Sequence, residues 1–95
     1  MTITELFEAR DKANKLFNMF NRTVYIRVCV ILDSFIVDSF KAYSLDDFKD
    51  KIQRAEYFKN CYDELFNKEL YLSDDFRVCQ YKDACVQFSM IDAKI

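Results

Sequence analysis

Between Thr23 and Leu32, eight of ten residues are apolar, and their order alternates. Read as a strand, Val24, Ile26, Val28, Val30 and Leu32 point to one side. Tyr25, Arg27, Cys29, Ile31 and Asp33 make up a mixed opposite face. Asp33 and Ser34 can turn the chain, and Phe35 to Ala42 can return as a second strand. Seven Val and Ile between positions 24 and 37 favour this reading, because β-branching restricts a side chain in a helix. The lack of glycine opposes it, since tight hairpins want Asn-Gly or Asp-Gly. Read as a helix, the same stretch places Arg27, Ser34, Asp38 and Lys41 on one narrow polar stripe.

The C-terminal segment has the same two readings. Ala84, Val86, Phe88 and Met90 alternate with Cys85, Gln87, Ser89 and Ile91, and Phe76 to Tyr81 can pair with them around Lys82-Asp83. Alternatively, Tyr81, Ala84, Phe88 and Ile91 line a helix that starts at Ser73.

Two other segments carry an unmixed helical period. Thr2 and Glu5 form a capping box, and Leu6, Ala9, Ala13, Leu16, Phe17 and Phe20 follow, which predicts a helix over 3–20. Its period puts Phe17 and Phe20 in the core. Glu8–Lys12 and Asp11–Lys15 are spaced to brace its outer side, and Asn21 suits a left-handed stop. Ser44 caps a second helix, predicted over 45–66, with Leu45, Phe48, Ile52, Ala55, Phe58, Tyr62 and Leu65 on its apolar face. Asp47–Lys51, Asp50–Arg54 and Glu64–Lys68 flank that face as exposed pairs. The preferred composite is an α+β fold in the order α-β-β-α-β-β, one antiparallel sheet with helices on one face. The alternative is an all-α four-helix bundle.

Composition sharpens this picture. Ninety-five residues make a single compact domain over 1–95. Ten Phe and six Tyr in so short a chain exceed what its interior ordinarily holds, so part of that bulk is expected at an interface. The sequence has no Gly, Pro, His or Trp. Abundant Phe, Tyr, Ile, Asn and Lys fit AT-rich coding, as in a bacteriophage or another mobile element. The N-terminus lacks the basic and apolar regions of a secretory signal, and Arg27, Asp33 and Asp38 interrupt the most apolar stretch. A cytoplasmic protein with four free thiols and no membrane association is the expectation.

Missing residue types exclude much chemistry. Without histidine there is no Ser-His or Cys-His nucleophile pair. Without glycine there is no phosphate-cradling loop. Cys29, Cys61, Cys79 and Cys85 lie 32, 18 and 6 residues apart, unlike the close pairs of structural zinc sites. Cys29 and Cys79 fall in core-like patterns, which leaves Cys61 and Cys85 as the thiols to test for catalysis. No cofactor is expected.

Residues 44–75 hold nine acids against five bases, while the flanking segments are near neutral. Asp46, Asp47, Asp50, Asp63, Glu64, Asp74 and Asp75 are candidates for an acidic surface that imitates DNA phosphates. Helix-start acids on a solvated face explain them more simply. Arg10, Lys12, Lys15 and Arg22 are too mixed with acids for direct nucleic-acid binding.

What remains is a small, non-enzymatic, protein-binding module, with a phage-type inhibitor of a host macromolecule as its sharpest form. A structural subunit and a small thiol or carboxylate enzyme are the other classes. Tyr25, Cys29 and Ile31 are the interface candidates, because their face is too apolar to stay wet on a one-sided sheet. A protein partner, a second copy included, would cover them.

Overall fold

The Thr2 side chain accepts from the Glu5 N–H at 3.1 Å, and the Glu5 carboxylate accepts from the Thr2 N–H at 3.3 Å. This closed capping box starts α1 (Ile3–Asn18). The structure is a computed structural model, and it describes residues 2–54, 78–81 and 84–94. The helix stops at Asn18, two residues earlier than predicted. The Phe20 and Asn21 N–H groups bond back to the Phe17 and Asn18 carbonyls, and Asn21 takes φ 59°.

The alternating stretch is a hairpin of β1 (Arg22–Leu32) and β2 (Phe35–Ala42). The turn that lacked glycine is made by Asp33 and Ser34, both left-handed at φ 50° and 69°. Aspartate tolerates that region better than most residues, and serine adopts it at some steric cost. The register slips between Val30 and Ile31, which leaves Val37 as the extra residue of a β-bulge. Ser44 then starts α2 (Leu45–Arg54), its hydroxyl accepting from the Asp47 N–H at 3.0 Å. The predicted continuation of this helix to 66, and the Glu64–Lys68 pair, lie outside the described residues.

β3 (Val78–Tyr81) pairs antiparallel with β4 (Ala84–Lys94) and completes a sheet in the order β2-β1-β4-β3, while Phe76 and the turn expected at Lys82-Asp83 lie outside the described residues. The fold is therefore α+β, and the four-helix bundle is overturned at both segments that it needed. β-Branched alternation outweighed the missing turn glycine because two non-glycine residues accept positive φ.

One face of the sheet meets both helices. Val28 and Val30 of β1 and Val86 and Phe88 of β4 are fully buried against Leu6 and Phe7 of α1 and Phe48 and Ile52 of α2. Phe48 is the hub, with ring centroids 5.5 Å from Phe7, 5.5 Å from Phe88 and 6.2 Å from Phe40. Burying each such side chain contributes roughly 1.5–3 kcal/mol.

The apolar period of α1 is only half used. Ile3, Leu6 and Phe7 are buried, but Leu16 and Phe20 are exposed and Phe17 is half-buried. The expectation that helical phase buries Phe17 and Phe20 fails because the end of α1 has run past the sheet. Asn14 already meets Val24, close to the start of β1, so later turns have no sheet beneath them. Neither Glu8–Lys12 nor Asp11–Lys15 forms an ion pair; Asp11 instead takes Arg10 at 3.1 Å. On α2 the expected pairs do form, Asp47–Lys51 at 3.0 Å and Asp50–Arg54 at 2.8 Å.

Candidate functional site

β-Alternation puts Tyr25, Arg27, Cys29 and Ile31 of β1 on the face away from the helices, beside Cys85, Gln87, Ser89 and Ile91 of β4. The three interface candidates therefore share one face, but they differ in exposure. Tyr25 is only 7% exposed. The Tyr43 ring lies 5.8 Å from it and the Lys41 ammonium sits 4.9 Å from its centroid. The single chain thus already gives Tyr25 the cover that its apolar character required of a partner. Cys29 and Ile31 are half-buried, and the Cys29 Sγ is 3.7 Å from the Ser39 Oγ. Cys29 is consequently not the core filler that its pattern implied, because it stands on the opposite face from the core.

Cys85 is also half-buried and free. Cys29 pairs with Gln87 and Ile31 with Cys85, so the two thiols are diagonal neighbours. Diagonal positions are about 7–8 Å apart, beyond the usual Cα span of a disulfide. Cys61 lies outside the described residues, and Cys79 stands in β3 opposite Val86. Among the described residues, no group of three or more His, Cys, Asp or Glu comes together that could hold a metal ion.

Of the acidic candidates, Asp46, Asp47 and Asp50 are described, all on α2; Asp63, Glu64, Asp74 and Asp75 lie outside the described residues. Asp47 and Asp50 each carry a basic partner one turn on, which offsets their charge. Burial pushes the Asp47 carboxyl up, but the Tyr43 N–H and the bonded, charged Lys51 outweigh it and hold the group below its ordinary value.

Side chains occupy part of the sheet's β2 edge. The Asn14 Oδ1 accepts from the Val24 N–H at 3.0 Å, and the buried Arg10 donates Nε–H to the Val24 carbonyl at 2.8 Å. Val24 precedes the first β1–β2 partners, Ile26 and Ala42, so α1 takes over where β2 has ended. On β2, the Ser39 N–H goes to the Asp38 carboxylate at 2.8 Å and the Tyr43 N–H to Asp47 at 2.9 Å. Lys51 Nζ–H donates to the Lys41 carbonyl. Side chains thus occupy backbone groups that an added strand would need.

Among the described residues, the exposed large apolar side chains other than Tyr43 lie at the two ends of β1. At the hairpin tip Phe35, Ile36 and Val37 are all exposed, Phe35 to 73%. At the opposite end Leu16, Met19 and Phe20 are exposed, Met19 to 79%. Neither group was selected from the sequence. The first had a signal, since three apolar residues in a row cannot all face one side of a strand. The second had none, because its helical spacing looks the same as core.

Among the described residues no helix is long and apolar enough to cross a membrane. Comparison with protein-family models, curated proteins and solved structures finds no match to this chain.

Proposed function

We propose that the chain is a small, non-enzymatic, protein-binding module, of the kind that a phage or mobile element uses to hold or block a larger macromolecule. The observation that carries this reading is the hairpin tip. Phe35, Ile36 and Val37 are consecutive, large, apolar and exposed at the start of β2, beside the Asp33-Ser34 turn, and exposed apolar surface of this kind marks association sites. The arrangement of the described polar groups supports the same reading. The α2 carboxylates serve structural ends, Asp47 as an acceptor for the Tyr43 N–H and an ion-pair partner of Lys51, and Asp50 as a partner of Arg54.

The test is retention of partners by tagged protein, comparing the native chain with Phe35→Asp and Val37→Asp. Both positions are exposed, so the variants should fold and melt close to the native chain. Proteins held by the native chain and released by both variants are the expected result. Equal retention by all three chains would remove the hairpin tip from the binding surface, and no retained protein at all would remove the reading.

A further inference from the structure

The two exposed apolar ends carry opposite charge. From position 12 to 22 the chain holds Lys12, Lys15 and Arg22 and no acid, around Leu16, Met19 and Phe20. Lys94 stands at the same end, opposite Arg22 in the β1–β4 register. Arg22 is tied to Asp92 at 2.7 Å, whereas Lys12, Lys15 and Lys94 form no ion pair among the described residues. From position 28 to 40 the chain holds Asp33 and Asp38 and no base, around Phe35, Ile36 and Val37. The eleven residues of β1 separate these ends by roughly 35 Å, too far for one chain to close on itself.

We infer that a second copy of this chain binds head to tail, the hairpin tip of one protomer seated on the lysine-rimmed end of α1 in the next. This rests on the binding reading above and names one partner for it. Symmetric pairings fit less well. Tip against tip opposes Asp33 and Asp38 to their own copies, and α1 end against α1 end opposes lysines to lysines. Edge pairing through β2 meets the bulge at Val37 and the backbone groups already taken by Asp38, Asp47 and Lys51. A head-to-tail contact leaves one free end on each protomer, so it builds open chains or rings. Three apolar side chains on each surface make a contact smaller than a standard interface, so association is weak and needs concentrated protein. Added salt screens the exposed charges and weakens it further.

Met19→Asp disables one end and Phe35→Asp the other, at residues exposed enough for both variants to keep the native melt. By sedimentation velocity over a wide concentration range, the native chain should form species larger than a dimer at its upper end, and fewer of them in high salt. Each variant alone should stay monomeric. An equimolar mixture should form a dimer and nothing larger, since each variant keeps the end that the other lacks. A mixture that stays monomeric, or a native chain that is monomeric at every concentration, overturns the proposal. So does a native chain that stops at a dimer, or a variant that assembles like the native chain. None of these outcomes touches the Phe35-dependent retention of other proteins, which stands or falls separately.

Discussion

Lys51 joins three parts of the fold. Its ammonium pairs with Asp47 at 3.0 Å, donates to the Lys41 carbonyl, and lies 5.6 Å from the Tyr43 ring centroid. As an exposed i,i+4 pair alone, Lys51→Ala would cost ~0.3–0.5 kcal/mol. With the strand carbonyl also losing its donor, the expected cost is about 1–1.5 kcal/mol in urea melts. Arg54→Ala, which loses only the Asp50 pair, should stay within ~0.5 kcal/mol. Asp47 adds a pH signature. Its folded carboxyl titrates below the ordinary value of 3.8, so its stabilisation is complete above that value and is lost as pH falls through the folded one. The stability difference between the native chain and Asp47→Asn should therefore hold at neutral pH and shrink as the pH falls below about 4. A difference that grows with acid would reverse the assigned sign. Arg10 is the other residue of this kind. Arg10→Met keeps its apolar stem but leaves the Val24 carbonyl without its donor, for an expected loss of about 1–3 kcal/mol.

At the scale of elements, the β1–β2 hairpin shows how a chain without glycine turns. Asp33 and Ser34 both accept positive φ, where a two-residue hairpin loop prefers Asn-Gly. Replacing them together, Asp33→Asn with Ser34→Gly, should stabilise the protein by about 0.5–1 kcal/mol, a gain readable as a higher thermal midpoint. A lower midpoint would mean that the turn is not the strained point assumed. Helix α1 divides into two halves with different surroundings. Its first turns are packed on the sheet and its last turn stands beyond it, so Leu6→Ala and Leu16→Ala should differ sharply. The first should cost about 2–5 kcal/mol and the second well under 1 kcal/mol.

For the whole molecule, stability converges on the contact between the helices and one sheet face. Phe48 touches rings from α1, β2 and β4, so Phe48→Ala should cost about 3–5 kcal/mol. Phe48→Asp should leave little folded protein, since it buries a charge without a partner. The opposite face works differently. Tyr25 is covered by its own neighbours, so Tyr25→Glu should lower the melting temperature rather than affect association alone. That face also holds Cys29 and Cys85 as free thiols, which should both be alkylated without prior reduction. Failure of either to react under denaturing conditions would reveal a bond to another thiol.

Both helix starts and the inward face of β1 were legible in the sequence, which also favoured strands over helices in the two ambiguous segments. These are local properties: a capping box needs residues three apart, and alternation needs only the pleat. The sequence also placed the turn at Asp33-Ser34, although it could not show that both residues would accept positive φ. Which apolar residues are covered depends on how the elements meet in three dimensions. Leu6 and Leu16 sit in the same periodic stripe, and Leu6 is buried because β1 lies beneath it while Leu16 is exposed where the sheet has ended. Tyr25 and Phe35 are both aromatic residues of the first hairpin, yet a tyrosine just past β2 and a lysine cover one and nothing described covers the other. Periodicity records which side of an element is apolar. Where the neighbouring element stops is set by strand lengths, turns and register acting together, and that geometry placed the exposed surfaces at the two ends of β1.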